Sequence, residues 1–224
     1  GIASVGDTTV VSNKWMLGTR NSFIIGISAT FLATALGTVA ALGLSRRNMP
    51  FKGTIMAILI SPMIVPLIIT SAGMFFFYSK IGLTHTYLGL ILAHTALGTP
   101  FVVITVTATL TGFDTNLIRA SQSLGADTMR TFFKVIMPLI LPGVISGALF
   151  AFITSFDEVV VVMFVGSVEQ ITIPKQMWAG LRQETSPVIL CMATCLVALS
   201  IALLTTVELL RRRSERLRGI KLRN

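Results

Sequence analysis

Five stretches of this chain run without a formal charge for longer than a bilayer is thick. They cover residues 22–44, 53–79, 81–113, 135–156 and 185–207, the third neutral apart from His85 and His94. A helix needs about 20 consecutive apolar residues to cross a hydrocarbon core of about 30 Å, and each stretch meets that length. With no water to satisfy backbone groups, only helices and closed barrels span lipid, and these runs are far longer than a barrel strand. The predicted fold class is all-α, a polytopic membrane helix bundle with five helices. A soluble domain of 224 residues would need more than 12% charged residues to cover its surface.

The net charge of +9 is sorted by loop. Thirteen of the 18 Lys and Arg fall in segments 45–52, 114–134 and 208–224; the other five, Lys14, Arg20, Lys80, Lys175 and Arg182, fall in the alternate segments. Cytoplasmic loops carry the excess of Lys and Arg, so the first set, including the C-terminus, is expected in the cytoplasm. The basic tail, 211–224, then reads as an anchor beside anionic membrane lipid, and no nucleic-acid partner is expected. Gly1 is no initiator, and the polar residues 1–20 read as a lead-in on the outer face that follows a first transmembrane helix absent from this chain. The membrane domain is placed at 21–210.

Within the first span, Gly26, Ala29, Ala33, Gly37, Ala40 and Ala41 provide a face that can approach another helix closely. Pro62 and Pro66 predict that the second span is kinked or broken, as a packing kink or as a moving, cavity-lining segment. His94 is expected to be hydrogen-bonded within the bundle and His85 interfacial, and no third ligand type completes a metal set around them. Cys191 and Cys195, four apart, read as small packing residues. The outer loop 166–187 contains "PKQMWAGLRQ", which suits an amphipathic helix at the interface with Trp178 at headgroup level.

The inner loop, 111–138, is too long and too organised for a turn. "TNLIRASQSL" is a helix former capped by Asp114 or Thr115, and Gly125 is a natural helix stop. "ADTMRTFFKVIM" restarts a helix, with Asp127 able to cap and Pro138 opening the next span. Leu117, Leu124, Met129, Phe132 and Phe133 are the apolar side chains this hairpin would expose. It is either a docking element for a partner groove or a hairpin lying on lipid.

The segment "RAS-QSL-G" at 119–125, with Ala126 next and Pro138 thirteen residues after the Gly, resembles the EAA loop of binding-protein-dependent ABC importer permeases. The family prefers Glu where Arg119 stands and Ala at Ser121; Ala120, Gly125 and the spacing to Pro138 match. The resemblance implies a type I ABC importer transmembrane domain in a bacterial inner membrane. It further implies that Asp114, Arg119, Ala120, Ser121, Leu124, Gly125, Ala126, Phe132, Phe133 and Pro138 belong to a coupling helix seated on a cytosolic ATP-binding subunit dimer. No GxxxxGK[ST] occurs in the chain, so ATP and Mg are expected on that partner and no cofactor or catalytic residue here.

In "SFDEVVVVMFV", Asp157 and Glu158 sit in what the hydropathy pattern makes the middle of a neutral helix. At about 1.5 Å per residue, Asp157 lies roughly 22 Å beyond Pro142, in the outer half of the membrane. Buried carboxylates at that depth are costly unless they face water or a cation, so the pair suits a cationic substrate. Neighbours on a helix diverge by about 100°, so at most one faces a path, and the other holds a partner helix; alternatively both are structural, paired with a cation of a sister subunit. Phe156, Asp157 and Glu158 are the candidate pathway residues. "SFDEVVVVMFV" followed by "IPKQMW" is similar to the spermidine/putrescine branch of the permeases. That likeness implies a polyamine importer with a second permease subunit and a periplasmic solute-binding protein. Importers of other small solutes, such as amino acids or opines, share part of the pattern. A secondary transporter or channel is the alternative from another class.

Overall fold

The computed structural model describes residues 5–46, 48–111, 114, 116–183 and 187–217, and all regular structure among them is helical. In order the helices are α1 (Val5–Leu44), α2 (Lys52–Ile64), α3 (Leu67–Ile81), α4 (Tyr87–Thr111), α5 (Asn116–Ser123), α6 (Thr128–Thr131), α7 (Met137–Phe156), α8 (Val160–Val165), α9 (Ile173–Gln183) and α10 (Pro187–Leu217). A π-helical turn, Phe132–Ile136, joins α6 to α7 without a break.

Among the described residues, four helical stretches are long and apolar enough to cross a membrane: 13–44, 87–111, 128–156 and 189–206. The second uncharged run is the exception to five straight spans. Its two helices, α2 and α3, meet at 105°. Neither half reaches across lipid, since 13 and 15 residues extend only about 20 and 22 Å. The prolines are the cause. Pro66 cannot donate to the preceding turn and forces Val65 into an extended conformation, φ −72° and ψ 135°. Pro62 leaves the Ile58 carbonyl without its helical donor, and the Ser61 hydroxyl donates to that oxygen instead at 2.8 Å.

Residues 5–20 of the lead-in are helical, the first turns of α1, which continues unbroken to Leu44. No proline interrupts it, and the Thr19 hydroxyl bonds back to the Trp15 carbonyl at 2.9 Å, as helical threonines do. Gly1, Thr115 and residues 218–224 of the basic tail lie outside the described residues; residues 211–217 of that tail extend α10.

The bundle is built on α1, α4 and α7. Near the hairpin end, Ala33, Ala41, Val102, Val106, Ile140 and Ala151 form one buried cluster; toward the opposite end, Ile25, Tyr78, Leu90, Ala93, Leu97, Val161, Val162 and Val165 form another. The first is possible because small residues let the backbones meet. A Cβ at Gly147 would sit 2.8 Å from the Val102 Cα and one at Gly98 3.0 Å from the Ala151 Cβ. His94 is fully buried in α4, its Nδ1 2.8 Å from the Ser155 hydroxyl of α7. By contrast α10 lies on the outside, with Leu190, Val197, Ile201 and Leu204 exposed. Cys191 and Cys195 are exposed there too, rather than packed into the bundle.

Candidate functional site

Two places carry polar chemistry that the packing of spans does not require: the hairpin after α4 and the break between α7 and α8.

The hairpin is helix, hinge, helix. Asp114 Oδ1 accepts the Asn116 N–H at 2.9 Å and opens α5. Gly125 ends it at φ +81°. The Ala126 N–H returns to the Ser121 carbonyl at 3.1 Å and the Gly125 N–H to the Gln122 carbonyl at 2.9 Å, the bond pair of a Schellman stop. Asp127 then accepts the Arg130 N–H at 3.0 Å and starts α6. Between the two arms the Ser121 and Thr131 hydroxyls meet at 2.9 Å, with Thr131 buried. So the departure of Ser121 from the alanine the resemblance favours has a local reason: it is a cross-brace.

At the tip, Leu124 is 89% exposed, and Leu117, Met129 and Phe133 stand exposed beside it. Arg119, Ala120 and Pro138 are exposed, and Ala126 is half-buried. Phe132 is half-buried and meets Phe133 edge-on, centroids 5.0 Å apart. An apolar tip on a braced, amphipathic pair of helices is suited to insertion into a groove. Removing the brace tests its rigidity. Ser121→Ala should leave the Thr131 hydroxyl buried and unpaired, at about 1–2 kcal/mol, and speed amide exchange over 116–124 while the spans stay protected. Unchanged exchange would show that the stop at Gly125 holds the hairpin alone.

At the other site the sequence expectation needs correcting. Asp157 and Glu158 do not sit inside a helix. α7 ends at Phe156, Asp157 is its C-cap at φ −91° and ψ −1°, and α8 begins at Val160. The Glu158 carboxylate explains the break: it accepts the Val161 N–H at 3.0 Å. Four successive β-branched valines, 159–162, add little helix propensity to resist it. The three candidate residues are thereby separated. Phe156 is buried, stacked on Phe152 at 5.2 Å and edge-on to Phe23 of α1 at 5.1 Å. Glu158 is 7% exposed and turned inward as a cap. Asp157 alone is exposed, and its carboxylate makes no hydrogen bond or ion pair among the described residues.

α8 is held at its other end by Lys175 of α9. The ammonium donates to the carbonyls of Ser167 at 3.0 Å and Val162 at 3.3 Å. A carboxylate at the N-terminus and an ammonium at the C-terminus both complement the helix dipole, each by about 0.3–1 kcal/mol. Burial pulls the Lys175 pKa below its ordinary value, because a desolvated ammonium is disfavoured. The segment around it is bolted to α1 and to the turn before α4. Asn21, 1% exposed, donates to the carbonyls of Glu169 and Ile171 at 3.0 and 2.9 Å and accepts from the Tyr87 hydroxyl at 2.9 Å. The Ser22 hydroxyl accepts the Ile173 N–H at 2.9 Å, and Gln170 donates to the His85 carbonyl at 2.8 Å. His85 is exposed and turns there at φ 60°.

Lys175, Thr131, Asn21, Ser22 and Gln170 were not among the sequence candidates. Lys175 had a signal, its place in "IPKQMW"; the others are single polar residues whose partners lie far along the chain. Among the described residues no three His, Cys, Asp or Glu come together as a metal site.

Comparison with known proteins follows the same lines. Residues 33–216 match the family described as binding-protein-dependent transport system inner membrane component. The spermidine/putrescine transport system permease protein PotC of Haemophilus influenzae is 31% identical over 194 residues, covering 87% of this chain and 76% of that protein. PotC of Escherichia coli K12 is 31% identical over 185 residues, covering 83% and 70%. The putrescine transport system permease protein PotI of that organism is 29% identical over 186 residues, covering 79% and 65%. Among solved structures, an inward-facing MetNI methionine ABC transporter superposes with a TM-score of 0.67 at 20% identity, covering 95% of this chain and 98% of that one. A bacterial ABC transporter for import of the acidic polysaccharide alginate superposes at 0.65 and 14% identity, covering 89% and 75%. At those identities the superpositions speak for the fold alone.

Proposed function

Since this chain belongs to the family of binding-protein-dependent transport system inner membrane components, we propose that it is the permease through which a polyamine-type importer passes putrescine- or spermidine-like cations. It is a multi-pass inner-membrane permease component of an ABC importer with a type I transmembrane fold. In this reading a second permease chain completes the path, a periplasmic solute-binding protein delivers substrate, and a cytoplasmic ATP-binding dimer, carrying ATP and Mg, drives transport. The hairpin and the C-terminal tail face the cytoplasm, and loop 166–187 faces the periplasm, as the Lys and Arg distribution implies.

The observation that carries the coupling role is the braced hairpin, with Leu124 presented at a Gly125 hinge. The polyamine substrate is supported by the identity to PotC and by the exposed Asp157 carboxylate, whose negative charge suits a cationic solute. The deciding experiment is to purify the intact complex, identify the ATP-binding subunit that accompanies this chain, and titrate the cognate binding protein with polyamines, amino acids and opines. Polyamine-loaded protein should stimulate ATP hydrolysis most. Stimulation by a neutral solute, with polyamines inert, would reassign the substrate.

Asp157→Asn removes charge with little change in shape. It should lower putrescine uptake in proteoliposomes by about tenfold, the equivalent of about 1.4 kcal/mol, with the amount of co-purifying ATPase unchanged. Uptake kinetics identical to wild type would leave the path without this carboxylate.

A further inference from the structure

We propose that Lys175 is a positioning residue that ties the outer helix α9 to α8, so that a displacement of α9 moves the Asp157 segment. The proposal rests on the functional reading above, in which α9 lies on the face that receives the binding protein.

α7 is locked into the bundle through Ile140, Ala151 and the small-residue contacts with α4. α8 is continuous with it only through 157–159, where the helix is broken. Its buried face, Val161, Val162 and Val165, packs with Tyr78 of α3 and with Leu90 and Ala93 of α4. Apolar contact of this kind has no direction and tolerates sliding. The directional restraints on α8 are its end caps: Glu158 of the break at one end and, at the other, the Lys175 ammonium on the Val162 and Ser167 carbonyls. The His85 N–H on the Val165 carbonyl, 2.8 Å, adds a third at the same end.

Lys175 differs from Glu158 in coming from another element, and from the His85 N–H in being a side chain carried by α9. It stands in the first turn of α9, one residue after Pro174 and two after Ile173, whose N–H is held by Ser22 of α1. The first turn of α9 is therefore a junction between α1 and α8. Its far end passes close to α10, where a Cβ at Gly180 would meet the Ile189 side chain at 2.6 Å. Load applied along α9 reaches α8 through the connecting residues 166–172 and, directly, through the Lys175 side chain.

The test uses the reconstituted complex with its ATPase and polyamine-loaded binding protein, in a Cys191→Ser, Cys195→Ser background. Single cysteines at Ala179, exposed on α9, and at Met163, exposed on α8, carry a spin label. In the parent complex both labels should change mobility when binding protein is added. In Lys175→Met the label at 179 should still respond while the label at 163 falls silent, and uptake should drop by about tenfold, within the usual range of coupling between sites. Basal ATP hydrolysis should not change. Lys175→Arg, which retains a cation and donors, should restore both responses.

A residue with a merely structural role would lower both labels' responses and the yield of complex together. A label at 163 that still responds in Lys175→Met, with uptake within about twofold of the parent, would overturn the proposal. Failure of Lys175→Met, Lys175→Gln and Lys175→Arg alike to assemble would mark a folding residue and overturn it too. A parent complex whose label at 179 ignores every loaded binding protein would remove the functional reading itself, and the tie with it.

Discussion

Gly125→Val is expected to abolish most ATP-driven uptake, by at least about tenfold, while the chain still inserts and assembles. Gly125 sits at φ +81°, where open space surrounds the missing Cβ. The penalty for a larger residue is therefore conformational and not steric against neighbours. A left-handed conformation costs an L-residue about 1–2 kcal/mol, and a β-branched residue tolerates it least. The chain escapes by abandoning the stop, which frees the Ala126 and Gly125 N–H bonds to Ser121 and Gln122 and re-aims α5. Leu124 then no longer stands where the braced hairpin puts it. Gly125→Asn is the control, since asparagine enters the left-handed region more readily, and it should keep a large part of uptake. The measurement is uptake and ATP hydrolysis in the same proteoliposomes. Wild-type coupling in the valine variant would remove this turn from the transmission path.

The second large effect is expected from Gly147→Leu, and it is one of quantity. The Cβ alone would run into the Thr105 hydroxyl and lie 2.8 Å from the Val102 Cα, so backbone as well as a side chain stands in the way. α7 would have to move off α4, opening the cluster of Ala33, Val102, Ile140 and Ala151. Overpacking commonly costs about 1–3 kcal/mol, and here the van der Waals contact that drives helix association in lipid is lost with it. Folded complex recovered by size exclusion from detergent should fall to less than about a tenth of wild type. Gly147→Ala should lie between. Full recovery of Gly147→Leu with an unchanged melting temperature would mean that α4 and α7 are free to separate here.

Much of this was legible beforehand because hydropathy, proline and glycine act locally. The uncharged runs located the spans. Pro62 and Pro66 predicted the broken second span, though not that its halves would meet at 105°. Gly125, Asp114 and Asp127 predicted the hairpin, because capping and a left-handed stop are settled within a few residues. Two features were misread. Asp157 and Glu158 looked like helix interior and are a break; Cys191 and Cys195 looked like packing residues and are exposed.

What the amino-acid order determined by itself is the membrane class, the positions of the spans and the form of the hairpin, since each follows from length in lipid or from neighbouring backbone. What the tertiary structure decided is which polar residue is free and which is spent on the fold. Asp157 and Glu158 are adjacent and chemically alike, yet one carboxylate is exposed and the other caps a helix. The difference lies in where α8, α9 and α1 meet, and hydrogen bonds such as Ser22 to Ile173 span 151 positions of chain that no local pattern records.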